Sequence, residues 1–103
     1  MPYIITYLWF PPRLSDAAAQ RYLETIQKYP LISSIKRVIP AAIAGEKEGI
    51  EVMVIDEVKT KDLGEALAYI GKFVVEFRNI EGITYETRVV NTLNEAMGLI
   101  GKG

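Results

Sequence analysis

The stretch Tyr3-Ile4-Ile5-Thr6-Tyr7-Leu8-Trp9-Phe10 limits what this chain can fold into more than any other. It carries no charge and a single small hydroxyl, on Thr6. With the two-residue period of a strand, Tyr3, Ile5, Tyr7 and Trp9 share one face, and Ile4, Thr6, Leu8 and Phe10 share the other. Neither face suits water, so the stretch predicts a central strand covered on both sides. A chain of 103 residues makes one domain with one core. Its own helices can supply one covering layer, and a second copy of the chain is expected to supply the other.

The remaining elements follow from punctuation and period. Pro11-Pro12 ends the first strand, because proline cannot continue a central hydrogen-bond ladder. Ser15 reads as a helix N-cap with Asp16 in the first turn. Ala19, Tyr22, Leu23, Ile26 and Tyr29 then recur at helical spacing until Pro30 ends the helix. Residues 32–44 read as a second strand, with Ile35, Arg37, Ile39, Ala41 and Ile43 on one parity. Lys36, Arg37 and Pro40 mark it as an edge. Gly45-Glu46-Lys47-Glu48-Gly49 reads as a hairpin turn into a third strand at 50–58.

In that third strand Ile50, Val52, Val54 and Val58 form an aliphatic row broken only by Asp56, and this row is expected under the helices. Glu51, Met53, Ile55 and Glu57 are expected on the opposite face. Thr60 is the predicted cap of a second long helix, with Leu63, Ala66, Leu67, Ile70, Val74 and Phe77 as its apolar stripe and an end near Asn79. Gly64 and Gly71 share a helix face, which predicts close approach to the sheet or to another helix. Glu81-Gly82 is a turn, and residues 83–91 are a polar fourth strand, again an edge. Thr92 and Glu95 match the capping box of a short final helix, with Leu93, Ala96, Met97 and Ile100 on one side and Gly101 at its end. A helix this short is expected to dock on the sheet or on a partner.

The order β-α-β-β-α-β-α contains two βαβ units joined by a hairpin. Right-handed crossovers place both long helices on one face and give the antiparallel sheet order 4-1-3-2. This is an α+β, ferredoxin-like fold, a single domain with its βαββαβ core at 1–91 and the short helix at 92–101. The element order, the aromatic first strand Tyr3 to Phe10 and the trailing helix resemble the dimeric α/β-barrel superfamily, in which two ferredoxin-like subunits pack their sheets together. The opening run from Met1 to Pro12 is similar to that of small uncharacterised prokaryotic proteins of this architecture. The resemblance implies a homodimer formed through sheet faces, with a higher oligomer as an extension. It also implies a range of roles, among them cofactor-free monooxygenases, isomerases, haem enzymes and effector-binding domains. The haem members rely on a histidine ligand that this chain lacks, as do many of the monooxygenases for their own chemistry.

Composition excludes several chemistries. With no cysteine and no histidine, the chain has no disulfide, thiolate nucleophile, Cys/His zinc site or histidine base. No metal and no cofactor is expected. A net charge of −1 and no basic run longer than Lys36-Arg37 give no footprint for nucleic acid or an acidic membrane. No apolar run is long enough to span a bilayer and no signal peptide is evident, so a cytoplasmic location is expected. Low Cys, Asn and Gln counts fit a thermophilic source.

The candidate site is the face of the sheet away from the helices. Tyr3, Tyr7 and Trp9, with Met53, would line a pocket for a flat apolar ligand, or else simply form a dimer core. That reading holds only if this parity of the first strand, and not Ile4, Thr6, Leu8 and Phe10, faces away from the helices. Glu51, Glu57, Glu86, Arg88 and Arg37 would bring charge to the same face. A dry glutamate there could act as acid or base, and an arginine could hold a ligand carboxylate bidentately. The plainer alternative is edge charges in solvent, with Glu86 and Arg88 satisfying each other. Asp56, Glu57 and Asp62 are expected at a solvated strand end, their spacing not being that of an EF-hand. Three functions stay open: a dimeric barrel that binds a small apolar or carboxylated molecule, a cofactor-independent monooxygenase or isomerase, and a structural or protein-interaction module.

Overall fold

The computed structural model describes residues 1–46 and 49–99. Four strands, β1 (Tyr3–Phe10), β2 (Ile35–Glu46), β3 (Gly49–Val58) and β4 (Thr84–Val90), alternate with helices α1 (Ser15–Lys28), α2 (Leu63–Val75) and α3 (Leu93–Leu99). The sheet runs β2-β3-β1-β4 with every neighbour antiparallel, which is the expected 4-1-3-2 order read from its other edge. The uncharged β1 lies between β3 and β4, and β2 and β4 are the edges. Lys47 and Glu48 of the predicted turn, and Ile100 and Gly101 of the predicted final helix, lie outside the described residues. No described helix is long and apolar enough to cross a membrane.

Period two decides what β1 gives to each side. Ile4, Thr6 and Phe10 are buried beneath the helices, whereas Tyr3, Ile5, Tyr7 and Trp9 are half-buried on the other face. The core has two parts. Ile4, Ile35 and Val58 pack on Ala66, Tyr69, Ile70 and Val74 of α2. Phe10 packs with Ala18, Phe77 and Ile83, and Ile50 and Val52 close this cluster from β3. The aliphatic row of β3 therefore lies under the helices as its pattern predicts. The molecule is 19 Å deep in its thinnest direction, the depth of one sheet and one helical layer.

Both long helices start through a 3-10 turn, Pro12–Leu14 and Thr60–Asp62, so neither predicted cap acts as one. The Ser15 hydroxyl donates to the Pro12 carbonyl at 2.7 Å, and Leu14 and Asp62 hold the cap positions without a side-chain bond. Helix α1 is also rotated from its expected orientation. Ala18, Tyr22, Thr25 and Tyr29 point inward, while Leu23 is 53 % exposed and Ala19 and Ile26 are outside. Thr25 tolerates burial because its hydroxyl donates to the Arg21 carbonyl at 2.6 Å. Arg21 in turn anchors α1 to the end of α2, donating to the Glu76 carbonyl and to Asn79 Oδ1. Helix α2 stops at Val75, short of the expected Asn79, and continues in 3-10-type bonds such as Phe77 N–H to Val74 O. A Cβ at Gly64 or Gly71 would have nothing within 4 Å, so among the described residues none approaches them closely. Gly82 does need its lack of a side chain: φ is +99° and a Cβ would meet Leu14 Cδ1 at 2.8 Å.

The register of β2 departs most from its sequence pattern. Arg37 pairs with Asp56 and Ile39 with Ile55, and a second irregularity separates Ile39 from Ala42, around Pro40. Each bulge inserts one residue and reverses the facing of the residues beyond it. Ile35 and Arg37 therefore lie on the helix side and Ile39 on the other. Arg37 grips Asp56 bidentately, Nε to Oδ1 at 2.7 Å and Nη2 to Oδ2 at 3.1 Å. Asp56 is fully buried, not solvated as expected for a strand end. Burial pushes the Arg37 pKa down, but the hydrogen bonds and charge of Asp56 together outweigh it and leave the guanidinium more basic than usual. Removing one partner of such a pair strands a buried charge. Arg37→Met should cost about 3–5 kcal/mol in urea unfolding, and adding Asp56→Val should recover most of it. A loss under about 1 kcal/mol for the single variant would show that the pair is solvated.

The predicted capping box forms: the Thr92 N–H donates to Glu95 Oε1 at 2.8 Å and the Glu95 N–H to Thr92 Oγ1 at 3.2 Å. Glu95 also pairs with the Met1 ammonium at 3.2 Å, tying α3 to the start of β1. Leu93, at 77 % exposure, stays uncovered. The Thr92 amide above all, then the Thr92 hydroxyl and the Met1 ammonium, hold the Glu95 carboxyl below the usual carboxylate range despite some desolvation. Folding thus favours ionised Glu95. That contribution is present above the ordinary glutamate pKa of about 4.3 and is lost as pH falls through the lowered folded value. An NMR titration should give Glu95 a midpoint below that of an exposed glutamate, with α3 amides shifting at the same pH. A midpoint at the ordinary value would mean that the cap is open.

Candidate functional site

The antiparallel registers set out the open face row by row. Tyr3 lies between Glu57 and Val90, Ile5 between Ile55 and Arg88, Tyr7 between Met53 and Glu86, and Trp9 between Glu51 and Thr84. On β2, Lys36 lies opposite Glu57, Ile39 opposite Ile55, Ala42 opposite Met53 and Ala44 opposite Glu51. Strand pairing alone therefore collects Tyr3, Tyr7, Trp9, Glu51, Met53, Glu86 and Arg88 on one surface. The eighth candidate, Arg37, is not there. It lies on the helix side, bonded to Asp56, because the first bulge comes after it.

Within this surface the aromatic groups are ordered. The Tyr7 and Trp9 rings, two residues apart on one face, stack with centroids 5.3 Å apart and planes 6° from parallel. Trp9 Nε1–H donates to Glu51 Oε1 at 3.0 Å across the β1–β3 pair. This bond fixes the indole plane and orients the carboxylate. A shallow cleft of about 290 Å3 opens at the same end, lined by Trp9, Phe10, Pro11, Gly49, Ile50, Gly82 and Thr84. Glu86 and Arg88 do not satisfy each other: among the described residues, no ion pair includes either. Both are exposed on β4 and leave one charge of each sign at the flank of the aromatic row.

The helix side has shallow surface grooves of about 470 and 340 Å3 beside Lys28, Tyr29 and Lys72, but its interior is closed. Its crevice between sheet and helices, lined by Thr6, Leu8, Tyr22, Arg37 and Ile70 among others, holds about 40 Å3. That is room for about one water. The core therefore has no room for a ligand of several carbon atoms.

Sequence reasoning kept Arg37 and Ile39 on one face and Ala42 on the other, because it took β2 as unbroken; the bulges separate Arg37 from Ile39 and bring Ala42 onto the face of Ile39. Pro40 was the signal at hand, since a proline inside a strand often marks a bulge. It also missed the pairing of Asp56 with Arg37. A lone acid in an aliphatic row destined for burial required a cation opposite, and Arg37 was the candidate nearest in register.

No family model matches the sequence, and no curated protein matches it. Solved structures that share the fold include a candidate antibiotic biosynthesis monooxygenase from Deinococcus radiodurans, at TM-score 0.60 and 7 % identity over 89 % of this chain and 92 % of the other. The de novo designed protein Foldit4 matches at TM-score 0.56 and 11 % identity, over 89 % of this chain and 99 % of that one. A hypothetical protein from Methanocaldococcus jannascii aligns over the whole of both chains at 11 % identity, with a TM-score of 0.36. The chain has the α+β, ferredoxin-like fold. Identities this low establish the fold alone, and a designed chain with the same topology underlines that topology does not carry chemistry.

Proposed function

We propose that the open sheet face is covered by the same face of a second chain, and that the space so enclosed binds a small planar molecule with a carboxylate. One observation carries this reading: the row Tyr3, Ile5, Tyr7 and Trp9, flanked by Met53 and Ile55, is only half-buried on the face away from α1 and α2. Monomers rarely leave so large a continuous apolar surface to water. The stacked Tyr7 and Trp9 rings suit a flat ligand. Arg88, beside Ile5 and free of any ion pair among the described residues, suits its carboxylate.

A second reading places an enzyme without a cofactor at the same site. The Trp9–Glu51 bond favours it, because it holds one carboxylate in a fixed place against the aromatic row, where it could move a proton on a bound carbonyl compound. The fold shared with the candidate monooxygenase agrees with this reading at the level of architecture.

Trp9 is the only tryptophan, so its fluorescence reports on this face alone. Benzoate, salicylate and 1-naphthoate should quench it saturably, and Arg88→Ala should weaken that binding about tenfold, the loss of one charge-assisted contact. Trp9→Glu should halve the mass seen by native mass spectrometry. Unchanged mass, with no saturable quenching by any of the three acids, would sink the proposal. Glu51→Gln separates the two readings: binding kept and turnover lost identifies an enzyme, whereas a variant unaltered in every assay leaves a binding protein.

A further inference from the structure

The two edges of the sheet are guarded unequally. β2 carries two bulges, an internal proline and an exposed lysine, Lys36, all of which discourage another strand from pairing with it. β4 has none of these. Its seven residues, Thr84–Val90, run in unbroken register along β1. The other side of β4 pairs with no described strand. Tyr85 and Val89 are exposed although they belong to the helix-side rows, opposite Leu8 and Ile4.

The sequence of β4 is also self-complementary. Turned about a twofold axis at Thr87, the strand meets its own copy antiparallel. Glu86 then faces Arg88 of the other chain, and Arg88 faces Glu86. Tyr85 meets Val89, Thr84 meets Val90, and Thr87 meets Thr87. Opposite charges, aromatic with β-branched, and threonine with threonine are the pairings that stabilise antiparallel neighbours. Shifting the register by one residue in either direction sets no Glu86 against an Arg88 on the same face. Glu86 and Arg88 form no ion pair with each other within the chain, and this register sets each directly opposite the other's counterpart.

We propose that the free edge of β4 is an interface with a second copy of this chain, joined about Thr87 into one continuous eight-stranded sheet. This contact uses the hydrogen-bonding edge and not the sheet face; it shares Arg88 with the proposed ligand site, and cross-linking at positions 85, 87 and 89, which leaves Arg88 in place, tests it separately. Together the two contacts would build a tetramer, in which each chain meets one copy through its face and another through its edge.

Cysteine scanning tests this, because the chain has no cysteine of its own. Paired Cα atoms in antiparallel strands lie about 4.5–5.5 Å apart, within disulfide range. Thr87→Cys should therefore form a covalent dimer under mild oxidation. Thr87 lies in the helix-side row opposite Thr6, so packing of the open faces cannot bring two such cysteines together. Tyr85→Cys alone and Val89→Cys alone should cross-link poorly, since each would be about 13 Å from its own copy, four residues along a strand. An equimolar mixture of the two should cross-link at least tenfold faster than either alone. Absence of the Thr87→Cys product, or equal cross-linking at all three positions, would overturn the proposal. Circular dichroism of each reduced variant checks that it is folded.

Discussion

The structure depends on a mismatch between one strand and the number of layers available to it. β1 is apolar on both faces, yet the two long helices cover only one of them. The choice of face is made by shape and polarity. The side with Ile4, Thr6, Leu8 and Phe10 presents compact groups that interdigitate with Ile70, Val74 and Phe77. The side with Tyr3, Tyr7 and Trp9 keeps the polar tips of large rings outside the core, where the indole N–H reaches Glu51. Burying that side under α1 and α2 would have required partners for three polar tips in an aliphatic layer.

This choice propagates through the sheet. Once β1 is fixed, antiparallel register dictates which parity of β3 and β4 shares the open face, and Glu51, Met53, Glu86 and Arg88 take their places without further interactions. β2 is the exception, because the buried Asp56 must have a cation. Two bulges allow β2 to turn Arg37 down to Asp56 and still present Ile39 and Ala42 to the open face. The irregular strand thus reconciles two demands: charge neutralisation in the core and apolar cover on the outside.

That division explains what could be read from residues alone. β1, β3 and β4 keep the two-residue period, so their facing was legible, and strand order followed from crossover handedness. The capping box of α3 was legible because it is local, needing only Thr92 and Glu95. The rotation of α1 was not, because it depends on Arg21 reaching the end of α2, 55 residues away in sequence, and on Thr25 satisfying its own hydroxyl. A hydrophobicity pattern counts Thr25 as polar and Leu23 as buried, and both assignments fail once these bonds form. Arg37 failed for a similar reason: a bulge is a response to a partner on another strand and has only a weak trace in its own sequence.

The same reasoning separates the two surfaces proposed for association. The sheet face is apolar and broad, so it favours any matching cover and specifies its partner weakly. The β4 edge is narrow, and its specificity comes from the order of alternating side chains about Thr87. Strand edges that proteins keep free are broken by bulges, prolines or inward charges, as β2 is. An edge left straight in the same molecule, with a sequence that complements itself only in antiparallel register, has the chemistry of an interface. Area would then supply the strength of one contact, and register the selectivity of the other.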